Sequence, residues 1–257
     1  MLRKDELSKI AEAKHLSLPN AERDYLLEVL LFALYTKIKD ELVFKGGTAM
    51  YKMYRLNRFS EDLDFTFMKH RKEISKTIQR VVEELSLLGI SVKIKEIQEY
   101  RQQINVHLEC KGPLYNGSKE SLVFIPINIS LREKVQYAGF EMLFSSYREI
   151  PSFEVYVMKE QEIVAEKVRT ILSRDKARDV YDLWFLLKKG VAWDEELIEK
   201  KLKIVGIHFN KKDLLEAIAA KEKMWEMDLQ KLILGSLPPF RKVQEELAIL
   251  IEKGKEE

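Results

Sequence analysis

FKGGTAMYKMYRLNRFSEDLDF, residues 44–65, sets two glycines a short distance ahead of two aspartates spaced two apart. From Lys45 to Ser60 it contains no acid, and it carries Lys45, Lys52, Arg55 and Arg58. Burying a core gains little from a basic stretch that runs straight into carboxylates. A site for a cation and a polyanion gains both halves of its charge. The short apolar run ELVF predicts a strand, TAMYKMYRL a helix beginning just after Gly46 and Gly47. The alternation in DLDFTF predicts a second strand with Asp62, Asp64 and Thr66 on one face.

The chemistry follows from these positions. A glycine pair between strand and helix lets the backbone approach a ligand closely, because no Cβ intervenes. The helix behind it presents free N–H groups and a positive dipole end to phosphate oxygens, and Thr48 adds a hydroxyl. Carboxylates at i and i+2 of a strand lie about 6.5–7 Å apart at the backbone, so both can reach one hard cation such as Mg2+. A lone Gly-Gly is usually only a turn, and a lone Asp-x-Asp is usually a solvated strand edge or a cap. The strand–turn–helix–strand context joins them into one candidate site. The four basic residues could neutralise a nucleotide or guide an RNA acceptor, and a solvated helix face explains Lys52 and Arg55 equally well. Tyr51, Tyr54 and Phe59 read as core.

The 257 residues suffice for one large domain or two small ones, and 44 basic against 42 acidic residues give +2, a net charge that names no partner. Cys110 is the single cysteine, so no disulfide framework exists, and the four histidines have no zinc spacing. MLRKDELSKI lacks the apolar core of a secretion signal, and the apolar stretch LLEVLLFALY is short and contains Glu28. A cytoplasmic protein without a membrane span is expected.

Residues 21–39 read as a helix with Asn20 as N-cap and Leu26, Leu27, Leu30, Leu31 and Leu34 on its apolar side. KEISKTIQRVVEELSLLG reads as another, with Ile74, Ile78, Val81, Val82, Leu85 and Leu88 buried and Gly89 as its stop. ISVKIKEI, QQINVHLEC and SLVFIPINIS read as strands, the last irregular or near an edge because Pro126 lacks an amide donor. After about residue 157 come five helical stretches: 159–172, 177–190, 194–206, 211–227 and one beyond Pro239. The expected organisation is an α/β domain over 1–157 and a helical domain over 158–257. Lys167 sits at the margin of the apolar stripe of its helix, either as an edge lysine paired with Glu162 or Glu166 or as one reaching inward. Asp179 and Asp182 share a face with Leu183 and Leu186 and need a cationic partner there, with Lys167 or Arg178 as candidates. Asp179 also fits the first-turn dipole, whereas Asp182 lies deeper.

GGTAM…RFSEDLDF resembles the opening motif of polymerase-beta-like nucleotidyltransferases. With Arg58 and Ser60 ahead of the acids, it is similar to the nucleotidyltransferase toxins typified by AbiEii, the toxin half of an abortive-infection toxin–antitoxin pair. EIVAEKVRTIL and ARDVYDLWFL are similar to that family's later lysine motif and its Arg-Asp-x-x-Asp motif. The resemblance implies an α/β (α+β) fold, a mixed sheet with flanking helices followed by a helical domain, with the cleft between the two parts. It implies Mg2+-dependent transfer of a nucleotide from an NTP to an acceptor hydroxyl, with RNA such as tRNA as acceptor and an antitoxin as partner. Asp62, Asp64, Lys167 and Asp182 would be catalytic, with Asp62 and Asp64 on the metal. Lys45, Gly46, Gly47, Thr48, Arg58, Ser60 and Asp179 would bind the nucleotide. One departure stands out: many such enzymes take a third metal carboxylate from a central strand, where this chain has IPINIS and Asn128. Glu109 is the substitute within reach of the pattern. Two rival readings remain, a nucleotide-binding regulator without turnover, supported by Asn128, and a helical interaction module on an inert scaffold.

Overall fold

Residues 103–110 and 123–130 each alternate between buried and more exposed side chains, with Ile104, Val106, Leu108, Ile125, Ile127 and Ile129 on the buried face. That period-2 pattern is what a half-solvated antiparallel sheet requires. The computed structural model describes residues 2–68, 74–87 and 89–253. The chain divides into two compact units, Met1–Met53 with Ser60–Val157, and Tyr54–Phe59 with Met158–Glu257.

The first unit is a mixed α/β layer structure. Its elements are α1 (Lys4–Ala13), α2 (Leu18–Tyr35), β1 (Leu42–Lys45), α3 (Gly46–Tyr54), β2 (Leu63–Phe67), α4 (Ile74–Leu87), β3 (Val92–Tyr100), β4 (Gln103–Cys110), β5 (Val123–Ser130), β6 (Ala138–Leu143) and β7 (Phe153–Met158). The seven strands lie in the order β3-β4-β5-β2-β1-β7-β6. β1 pairs antiparallel with β2 and parallel with β7, while β2 pairs parallel with β5, so the sheet is mixed. The leucines expected on α2 are all buried, and so are Ile74, Ile78, Val81, Val82 and Leu85 of α4; Leu88 lies outside the described residues.

Several boundaries differ from the sequence reading, each for a local reason. α2 starts at Leu18, because Ser17 Oγ accepts from the Asn20 amide and Pro19 is pre-set for a first helical turn. Asn20 is therefore inside the helix and is not its cap. α1, β6 and β7 go beyond the sequence reading, the two strands because their buried and exposed positions alternate weakly. β5 is a central strand, not an edge. Its pairing with β2 begins at Ile127, one residue beyond Pro126, so the missing amide sits outside that ladder.

The second unit is helical: α5 (Glu160–Ser173), α6 (Ala177–Lys188), α7 (Glu195–Lys203), α8 (Lys211–Ala219), α9 (Trp225–Leu229) and α10 (Phe240–Lys253). The stretch 211–227 is not one helix; a 3-10 turn at Glu222–Met224 separates α8 from α9. Among the described residues no helix is long and apolar enough to cross a membrane.

Phe65 of β2 is fully buried, with its ring centroid 5.4 Å from that of Phe44 on β1. Phe65→Ala should cost about 3–5 kcal/mol through lost transfer energy and an unfilled cavity. Urea unfolding measures it, and a loss below about 1 kcal/mol would show that the β1–β2 pair is not core.

Candidate functional site

All four residues of β1, LVFK, are buried, so the strand must end where the chain meets a polar group. It ends at Lys45, and Gly46 turns the backbone at φ +76 into α3. In the β1–β2 register Lys45 stands opposite Asp64. A Cβ built on Gly46 would lie 2.5 Å from Asp64 Oδ2 and 3.0 Å from Asp64 Cβ. Glycine is thus required twice, by its backbone angle and by the carboxylate against it. Thr48, buried in the first turn of α3, donates its hydroxyl to the Asp62 carbonyl oxygen at 2.5 Å. The bend and the acids are tied at two points. Gly46 of the expected glycine turn lies against the Asp64 side chain, and Thr48 touches Asp62 at its backbone.

On its other side Asp64 is in register with Asn128 of β5, whose Nδ2 donates to Asp64 Oδ1 at 3.0 Å. Registered residues share a face, so one row crosses five strands: Lys45, Asp64, Asn128, Asn105 and Gln98. Lys45 Nζ lies 3.1 Å from Glu133 Oε1, and both side chains are nearly enclosed. Glu109 pairs with Phe124, four residues along β4 from Asn105, or about 13 Å at strand rise. It cannot serve as the substitute carboxylate. Among the described residues no three His, Cys, Asp or Glu side chains form a metal-binding group. Two carboxylates nonetheless fit a hard cation that completes its shell with substrate phosphates and water.

The remaining basic residues are dispersed. Lys52 has no place in a nucleotide cluster: its Nζ is 2.5 Å from Asp24 Oδ1 and 2.7 Å from Glu28 Oε1, with the side chain 4% exposed. Tyr147 and Ser145 donate to the same two acids. Burial works against the Lys52 ammonium, but Asp24 and Glu28 outweigh it and hold the lysine above its ordinary range. The sequence carried a signal for this, since Asp24 and Glu28, at i and i+4 among the apolar residues of α2, demand an internal cation. Arg55 is exposed and left-handed at φ +62, just past α3. Ser60 is half-buried ahead of the acids, and Tyr54 and Phe59 are buried.

Arg58 belongs to the helical unit. Its Nε and Nη2 each lie 2.6 Å from an oxygen of Asp182, a two-pronged pair in which both side chains are buried. Backbone bonds from Phe59 N to Leu232 O and from Leu234 N to Asn57 O hold the segment there. Lys167 Nζ contacts Asp182 Oδ2 at 2.6 Å and Asp179 Oδ1 at 2.9 Å, while Arg174 Nε reaches Asp179 Oδ2 at 2.8 Å. Lys167 therefore faces the α6 acids; Glu162 is taken by Lys201 at 2.6 Å. Burial alone would raise the Asp182 carboxyl, but Arg58 and then Lys167 hold it below the usual carboxylate range, and Lys167 with Arg174 does the same for Asp179. Lys167 is in turn raised by the two aspartates against the pull of burial.

The family model of the nucleotidyl transferase AbiEii toxin, type IV toxin–antitoxin system, matches residues 29–246. An uncharacterised protein of Aquifex aeolicus is 24% identical over 196 residues, covering 74% of this chain and 80% of its own. Among solved structures, MenT4, a nucleotidyltransferase toxin of Mycobacterium tuberculosis, is similar with a TM-score of 0.68 at 20% identity, over 98% of this chain and 90% of that one. JHP933 from Helicobacter pylori has a TM-score of 0.59 at 21% identity, over 93% of both chains.

The geometry yields two expectations. Gly46→Ala should lose about 1–3 kcal/mol, more than Gly190→Ala, which has a similar positive φ but open space around its Cβ. Equal losses in paired denaturant titrations would show that the Asp64 contact carries no weight. Asp182→Asn should cost about 3–5 kcal/mol at pH 7 by leaving buried cations unmatched. The folded carboxyls of Asp182 and Asp179 are depressed, so their stabilisation is complete above the unfolded value near 4 and is lost as pH falls below it. Urea unfolding from pH 7 to pH 2 should show that acid loss in the parent and a shallower one in the variant.

Proposed function

This chain belongs to the AbiEii family of nucleotidyl transferase toxins of type IV toxin–antitoxin systems, and we propose that it moves a nucleotide from an NTP to an acceptor hydroxyl on RNA, such as tRNA. The observation that carries the reading is the closure of Gly46 onto Asp64, with Thr48 anchoring Asp62. In this reading Gly46 and Gly47 bring bare backbone against the triphosphate, and the first turn of α3 offers it unpaired N–H groups. Lys45, in the same row as Asp64, would face the phosphates with its charge shared with Glu133. Thr48 would act on the nucleotide site by holding the backbone at Asp62, the residue whose carboxylate is assigned to the cation. Ser60 lies on the approach to the acids.

Asp62 and Asp64 would hold a divalent cation, Mg2+ in this reading, which when bound neutralises phosphate oxygens and draws electron density from the phosphorus. The acceptor hydroxyl oxygen bonds to the α-phosphorus and gives up its proton to solvent as the bond to the departing pyrophosphate breaks. Arg58, Lys167, Asp179 and Asp182 act within the helical unit, where the ion pairs hold the segment that leads into Ser60. An antitoxin partner is expected from the type IV system, and an RNA acceptor puts the chemistry in the cytoplasm.

Incubation with each of four α-labelled NTPs and total RNA, with and without Mg2+, tests this directly. The parent chain should label RNA with at least one nucleotide only when Mg2+ is present, and Asp62→Ala and Asp64→Ala should each lower the rate by about 100-fold or more. Labelling by Asp64→Ala at the parent rate would refute the assignment.

A further inference from the structure

Asn128 lies where β5 brings a side chain directly against one of the two acids. We propose that Asn128 is a positioning residue for Asp64 and that its amide restricts the site to a single divalent cation. The inference rests on reading Asp62 and Asp64 as cation ligands.

The two ends of an asparagine amide are not equivalent here. A carboxylate only accepts hydrogen bonds, so the group facing Asp64 Oδ1 must be the NH2, at 3.0 Å. That bond removes one degree of freedom from the carboxylate and gives its oxygens different surroundings. Oδ1 is engaged by Asn128, while Oδ2 lies over Gly46, at the bend assigned to the phosphates. A ligand held by a neighbour's hydrogen bond loses less freedom on binding a cation than a rotating one does. Asn128 therefore acts through Asp64 rather than on substrate.

Charge sets the number of ions. A carboxylate at position 128 would stand about as far from Asp64 as the amide does, and two such charges so close demand a proton or a further cation. The amide demands neither. Of the five residues in the row across the sheet, only Asp64 is acidic. Glu109 pairs with Phe124 well along the strands, and Glu133 is engaged by Lys45. Two carboxylates from Asp62 and Asp64 balance one divalent ion.

Calorimetric titration of the full chain with Mn2+, together with the spectrum of the bound ion, tests this without any turnover. The parent should bind one Mn2+ per chain. Asn128→Leu, which keeps volume but has no donor, should bind it about 10-fold more weakly, in line with loss of an outer partner of a metal ligand. Asn128→Ser, too short to reach Asp64, should show the same loss and serves if the leucine variant does not fold. Asn128→Asp should bind a second Mn2+. Parent-like affinity in a folded Leu or Ser variant, two ions in the parent, or a single ion in Asn128→Asp would each overturn the proposal. Retention of one Mn2+ by Asp64→Ala would instead overturn the ligand assignment beneath it, and the two failures are thereby separated.

Discussion

The close approach of a bare glycine Cα to an aspartate carboxylate is the constraint around which the first unit is organised. Asp64 Oδ2 occupies space that any side chain at position 46 would fill. Only a glycine that also turns the chain at positive φ lets β1 end in a helix at that point. The β1–β2 register then follows, because a one-residue slip would put Asp64 among the buried phenylalanines and Phe65 in the site. The parallel β2–β5 pairing carries the same row on to Asn128.

Charges in this molecule fall into two kinds, and exposure separates them. Asp62 and Asp64 are partly open to solvent, so a ligand can reach them. Asp24, Asp179 and Asp182 are fully enclosed, each against cations that hold it ionised. Breaking such an enclosed pair costs about 3–5 kcal/mol, far more than a surface pair is worth. Those clusters therefore hold their elements in register, whereas Asp62 and Asp64 stand where solvent still reaches them.

Identity near 20% with MenT4 accompanies a TM-score of 0.68. That combination is physically ordinary, since a core asks only for apolar volume in the right pattern. A site asks for particular atoms at particular places. For this chain the motif residues point to the family, and the sheet shows how those residues meet.

Sequence by itself determined the glycine–aspartate motif, the mixed α/β character, the helical second half and the buried faces of α2 and α4, because all of these depend on local chemistry and on periods of 2 and 3.6 residues. Lys167 is legible in the sequence as a candidate cation for Asp179 and Asp182, beside Arg178, because buried acids need a partner, and the packing of α5 on α6 brings Lys167 to both. Likewise Lys52 reads from sequence either as part of a basic patch or as a solvated helix face, and the packing of α2 on α3 makes it neither, since it is enclosed against Asp24 and Glu28. The tertiary structure alone decided that Asn128 meets Asp64, that Glu109 does not, and that Arg58 pairs with Asp182 from 124 residues away. Such choices depend on strand order and helix packing, which bring distant residues together by filling space and which no local pattern encodes.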